Sequence, residues 1–134
     1  MTDARPVVIK LGGSVLSSPK SYARAARWVR SRVIGPPLLI IVSAEQGHTD
    51  RLLAEAEAIA ARPDPRALDL LWATGELRSA ALLALHLQAI GIPSRALNVH
   101  EAGVTRTSDE VTVRTREIAS SLRTHAAVIV PGFL

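Results

Sequence analysis

Five consecutive apolar residues, Leu38-Leu39-Ile40-Ile41-Val42, follow a Gly35-Pro36-Pro37 stop and end at a polar loop. A run with no polar position has no face to give to water. It predicts a strand covered on both sides, as in a parallel sheet held between layers of helices. Val7-Val8-Ile9-Lys10-Leu11 reads as a second strand, closed by Gly12-Gly13. Ser94 to Val99, Glu110 to Thr115 and Ala126 to Val130 read as further strands. Helix-period segments lie between most of them. Ser18-Pro19 opens one that carries Tyr22, Ala25, Ala26, Val29 and Val33 on one side. Thr49 is placed to cap a second, which runs to about Ala61 with Leu52, Leu53, Ala56, Ile59 and Ala60 as its apolar side. A long stretch from Ala67 to Ile90 is expected to break near Thr74-Gly75 and to stop at Gly91 and Pro93. A short helix from Arg116 to Arg123 precedes the last strand. The pattern predicts an α/β fold, a three-layer sandwich with a mostly parallel sheet, in a single domain over residues 1–134.

Composition removes whole classes of function. There is no cysteine, hence no disulfide scaffold, thiolate metal site or cysteine nucleophile. His48, His86, His100 and His125 lack metal-ligand spacing, so no metal held by side chains is expected. The N-terminus has no apolar signal core, and no uncharged apolar run reaches the roughly 20 residues of a membrane span. A soluble cytoplasmic protein with no membrane partner is the expectation. The net charge of +4 is carried mostly by arginine. Arg24, Arg27 and Arg30 form a basic stripe, but no set of aromatic residues accompanies it to stack on bases. The stripe reads as a solvated face, and no nucleic-acid partner is expected.

Ligands of open α/β sheets bind at the carboxyl ends of the strands, where three segments stand out. Lys10-Leu11-Gly12-Gly13-Ser14 ends the first strand. Its glycines allow backbone amides to approach an anion, and Lys10 adds a positive charge; the spacing is not that of a Walker A loop. A plain strand-to-helix turn explains it equally well. Ser43-Ala44-Glu45-Gln46-Gly47-His48-Thr49-Asp50 is a polar loop entering a helix N-terminus, suited to capping alone or to capping with a carboxylate or phosphate ligand. Ala73-Thr74-Gly75-Glu76-Leu77-Arg78-Ser79 places Glu76 where it either complements a helix start or meets a substrate ammonium.

Together these segments resemble the amino acid kinase family, in particular the N-terminal part of aspartate kinases. Lys10-Leu11-Gly12-Gly13-Ser14 meets the family's K-[FL]-G-G-[ST] pattern. Ile41 to Leu52 meets V-V-S-A-x-x-G-x-T-[DN]-x-L, and the stretch ending Gly75-Glu76-Leu77-Arg78-Ser79 is similar to [ST]-x-G-E-x-x-S. Glu101-Ala102-Gly103-Val104-Thr105-Arg106-Thr107 is similar to x-Q-A-G-[IV]-x-T, with glutamate for glutamine. Ile129 to Leu134 looks like the strand before G-F-[IQ]-G. The family phosphorylates a carboxylate with magnesium ATP. The resemblance implies that Lys10 contacts the transferring phosphate, that Gly12, Gly13 and Ser14 form the anion cradle, and that Ser43, Thr49 and Glu76 hold the amino acid, Glu76 facing its ammonium.

The resemblance ends where the family's nucleotide-binding half begins. No lysine follows Lys20, and after Gly103 the one remaining glycine is Gly132. The isolated chain is therefore expected to bind no nucleotide cofactor. Mg-ATP enters only if a partner supplies that half. An exposed sheet edge is expected, covered by self-association or by a partner chain. Three functions follow from this reading: a protein binding a small acidic amino acid or related anion, a subunit of a split kinase, or an enzyme reusing the pocket without ATP.

Overall fold

The apolar runs pair side by side in one parallel sheet. The computed structural model describes residues 5–132. Their order is β1 (Val7–Leu11), α1 (Pro19–Arg30), β2 (Leu38–Val42), α2 (His48–Ile59), α3 (Pro65–Ala89), β3 (Ser94–Ala96), β4 (Val104–Arg106), β5 (Val111–Val113), α4 (Arg116–Thr124) and β6 (Ala127–Pro131). The sheet runs β1-β2-β6-β3 with every pairing parallel. The two interior strands, β2 and β6, are the most continuously apolar. Phe133 and Leu134, the end of the G-F segment, lie outside the described residues.

Alternate side chains of the interior strands feed two cores. Ile40, Val42, Ala127 and Ile129 pack with Leu11 against Tyr22, Ala26 and Val29 of α1 and Leu83 and Leu87 of α3. Val128 and Val130, with Leu39 and Ile41, pack on the other face against Ile118 and Leu122 of α4 and against Leu97. Helices on both faces make the three-layer sandwich that the sequence predicts. Each fully buried Leu or Ile contributes about 1.5–3 kcal/mol relative to exposure, so these interior positions dominate the hydrophobic term. β1 lies at an edge, with Val7 and Val8 45% and 60% exposed.

The structure corrects the sequence in four places. First, α3 does not break at Thr74-Gly75 but runs unbroken for 25 residues from Pro65, after an Asp64 cap whose carboxylate accepts from the Ala67 N–H at 2.9 Å. The Thr74 hydroxyl donates back to Leu71 O at 2.6 Å, a bond that Thr makes within a continuing helix, so it does not cap a new one. Second, Thr49 is not the cap of α2. Gly47 takes that position at φ 74°, and only Leu52 of the expected apolar side is buried; Ile59 is 85% exposed. Third, the strand expected over Glu110 to Thr115 does not join the main sheet. Val111–Val113 pairs antiparallel with β4 in a separate hairpin, and Val111 and Val113 are exposed. Fourth, the Ser94 to Val99 strand stops at Ala96.

Two residues show how the layers are held. Tyr22 is fully buried between α1 and α3, with its hydroxyl 3.0 Å from Ser79 Oγ. Burial pushes its pKa above 10.0; its Ser79 hydrogen bond acts in the opposite direction. Gly103 closes the hairpin at φ 73°, where its carbonyl accepts from the Arg114 N–H at 2.9 Å and a Cβ would collide with the Arg114 carbonyl oxygen.

Two outcomes are expected. Gly103→Ala combines a left-handed backbone with a clash against main chain, so urea denaturation should show a loss of at least about 2 kcal/mol. An unchanged midpoint would disprove the hairpin geometry. For Tyr22, folding favours the neutral phenol. Its stabilisation is whole below the unfolded pKa near 10 and is lost as pH rises through the raised folded value. Tyr22→Phe should cost about 1 kcal/mol at neutral pH by orphaning Ser79 Oγ. It should also flatten the decline in stability above pH 10; parallel pH profiles for the two proteins would mean that the phenol is not shielded.

Candidate functional site

The carboxyl ends of β1, β2 and β6 come together because their register is even. Leu11 lies opposite Val42, and Val42 opposite Pro131. Each strand then releases the chain into a loop, and main-chain bonds tie those loops together. The Ser43 N–H donates to Leu11 O at 3.0 Å, the Gly132 N–H to Val42 O at 2.9 Å, and the Gln46 N–H to Leu16 O at 3.2 Å.

Lys10 is exposed one residue before the end of β1 and pairs with Ile41. Gly12 and Gly13 begin a tight turn in which the Val15 and Leu16 N–H groups both donate to Gly12 O, at 3.0 and 3.1 Å. The two glycines have different reasons to be there. A Cβ on Gly13 would stand 3.0 Å from Ala44 O, whereas one on Gly12 would meet nothing within 4 Å. Gly13 is thus required by the β2 loop, and Gly12 borders open space. Ser14 is exposed in the same turn and Ser43 is half-buried.

Glu76 is half-buried on α3 and reaches over the strand ends. A Cβ built on Gly132 would lie 3.1 Å from Ile41 Cγ2 and 4.0 Å from Glu76 Oε2. Ile41 is in turn the partner of Lys10. Lys10 lies on the β1 side of the Ile41–Gly132 pair and the Glu76 carboxylate near Gly132; the β1 and β6 backbones on which Lys10 and the approach to Gly132 lie are two strand spacings apart, roughly 10 Å. Thr49 stands exposed in the first turn of α2. So Lys10, Gly12, Gly13, Ser43 and Glu76 gather at one sheet edge, and Thr49 sits just beyond it on the adjoining helix.

Gly75 explains why a helix breaker sits inside α3. A Cβ there would be 2.8 Å from His48 Cδ2 and 3.1 Å from Ala44 Cβ. The missing side chain is the notch that lets the β2–α2 loop seat against α3. Sequence reasoning missed two further features. Glu45, read as an ordinary loop residue, is 9% exposed and ion-paired with Arg78 at 3.0 Å. A cleft of about 790 Å³ opens beside Pro131 between the first half of α3 and the hairpin, lined by Leu70, Ala73, Leu77 and Val99 and by Arg66 and Arg106 among others. Both arise from tertiary contact; an unpaired acidic residue in a glycine loop was the one available signal for the first. Among the described residues no three His, Asp or Glu side chains gather as a metal site would require.

Gly75→Ala should therefore displace the loop even though alanine is the better helix former by roughly 1 kcal/mol. Crystallography or amide chemical shifts of residues 43–48 should register the displacement, and His48→Ala in the same chain should relieve it. A Gly75→Ala protein with an unmoved loop and raised stability would exclude the notch.

Comparison with known proteins agrees with this fold. The model of the amino acid kinase family matches residues 5–134. An aspartokinase of Thermus thermophilus is 37% identical over 134 residues, covering 96% of this chain and 33% of that protein. The crystal structure of aspartate kinase from Synechocystis superposes with a TM-score of 0.84 at 30% identity, covering 95% of this chain and 21% of the other. An isopentenyl phosphate kinase structure, with TM-score 0.70 and 17% identity over 96% of this chain and 58% of its own, shares the fold alone. The chain spans about a third of the length of the Thermus relative. With its parallel sheet and its lysine–glycine turn, this chain belongs to the amino acid kinase family and is aspartate kinase-like within it.

Proposed function

We propose that this segment binds a small acidic amino acid, or a related carboxylate or phosphate anion, at the carboxyl ends of β1, β2 and β6. The observation that carries the proposal is the placement of a lysine and a carboxylate on either side of the Ile41–Gly132 pair. A dipolar acid needs both signs of charge at short range. Lys10 meets its anionic end together with amides of the Gly12–Gly13–Ser14 turn, where Gly12 leaves room for close approach. Ser43 and Thr49 offer hydroxyls, and Glu76 accepts from the ammonium. The aspartokinase relatives make aspartate the first ligand to test.

On its own the segment is not a competent ATP-dependent kinase in this reading. Phosphoryl transfer rests on positioning and on neutralising charge around the migrating group. Each such contact that is missing costs on the order of 10²-fold or more in rate. Nucleotide and magnesium enter this reading only with a partner that supplies the nucleotide-binding half. A second reading, a subunit of a split carboxylate phosphotransferase, is favoured by β1. Its edge position and its exposed Val7 and Val8 suit a second copy or a partner chain.

Isothermal calorimetry tests the primary reading. Aspartate should release or absorb heat on binding, and Glu76→Ala should weaken it about 10- to 100-fold, the value of a charge-assisted hydrogen bond. Absence of heat with aspartate, glutamate and inorganic phosphate alike would sink the assignment.

A further inference from the structure

We infer that Glu45 is the positioning residue of the proposed acid-binding site, fixing the β2–α2 loop against α3. This rests on the ligand reading above for its consequence, but on geometry alone for its existence. Glu45 occupies a position that the family-like pattern leaves open, yet its side chain is only 10% exposed. A carboxylate withdrawn from water to that degree persists only with charged or hydrogen-bonding partners. Its Oε2 accepts from Arg78 Nη1 of α3 at 3.0 Å, and its Oε1 lies 3.9 Å from Arg51 Nη2 of α2. Arg51 Nη2 is in turn 3.2 Å from His48 Nδ1. The Glu45 carbonyl accepts from the His48 N–H at 2.9 Å. The loop is thus tied to both helices through one side chain.

The residues on either side of Glu45 are the ones that set the width of the site. Ala44 O lies where it would contact a Cβ on Gly13, and Ala44 Cβ lies against Gly75. The Gln46 N–H holds the Gly12–Gly13 turn through Leu16 O at 3.2 Å. Arg78 stands two residues beyond Glu76 on the same continuous helix. Fixing the Glu45 carboxylate to Arg78 therefore fixes Ser43 and the glycine turn relative to the Glu76 carboxylate. Arg51 is 62% exposed and more distant, so the Arg78 bond is the main tie.

Hydrogen-exchange mass spectrometry of the full chain tests this, with aspartate calorimetry alongside. Glu45→Gln keeps the shape and removes the charge. Exchange across residues 43–48 should rise about tenfold or more while that of β6 stays unchanged, and aspartate affinity should fall by a similar factor. Arg78→Lys keeps the ion pair and should retain protection close to the native level; Arg51→Ala should change little. Unchanged exchange at residues 43–48 in Glu45→Gln overturns the role. A rise spread equally over β6 also overturns it, because that marks general destabilisation. A native chain that binds no acid, with the loop effect still confined to residues 43–48, refutes the ligand and supports the positioning role. Should Glu45→Gln fail to fold, Arg78→Met against Arg78→Lys gives the same contrast: loss of loop protection in the first only supports the role, and equal protection in both overturns it.

Discussion

Two-sided burial of β2 and β6 is the constraint from which the rest of the molecule follows. Neither strand has a polar face, so helices must cover both sides of the sheet. That requirement places α1 and α3 on one face and α4 on the other. It also makes the pairing parallel, since each return to the sheet crosses a helical layer. All strand ends of one polarity then emerge along one edge. The loops there carry the polar residues for which the two cores have no room.

At that edge, the absence of side chains matters as much as their presence. Gly13 and Gly75 allow the β2–α2 loop to lie between the first turn and α3, and Gly132 keeps the space between Ile41 and Glu76 clear. Main-chain bonds across the loops do the holding. The ion pair between buried Glu45 and exposed Arg78 adds a charged tie behind them. An ion pair at a protein surface contributes little, but a carboxylate this buried is costly to leave without its partner. These contacts favour one position of the loop over a range of them.

Membership of the amino acid kinase family agrees with this physical picture. The structural likeness to aspartate kinase extends over nearly the whole chain, while the chain accounts for about a third of the length of the Thermus relative. What these residues build is a scaffold that presents a lysine, a glycine turn and a glutamate at the ends of parallel strands. The same fold at much lower identity in an isopentenyl phosphate kinase shows that the scaffold itself does not choose a substrate.

The sequence by itself determined the elements whose signal is local. The Leu38–Val42 run, the helix opened by Ser18-Pro19 and the Gly91 stop are legible because burial on two faces, a fixed proline φ and a left-handed backbone each restrict which residues are tolerated. It also gave the order of the motif segments, and with it Lys10, Gly12, Gly13 and Glu76 as candidates. Tertiary structure decided the rest. Gly75 reads as a break when only chain neighbours are considered, and becomes a notch once His48 arrives from another element. Val111 to Val113 has strand character, but only packing sends it into a hairpin rather than the main sheet. Glu45 is an ordinary loop acid until α3 brings Arg78 to it. In each case the deciding partner lies 27 or more residues away, or the outcome depends on competition among strands. No local pattern of residues encodes such a contact.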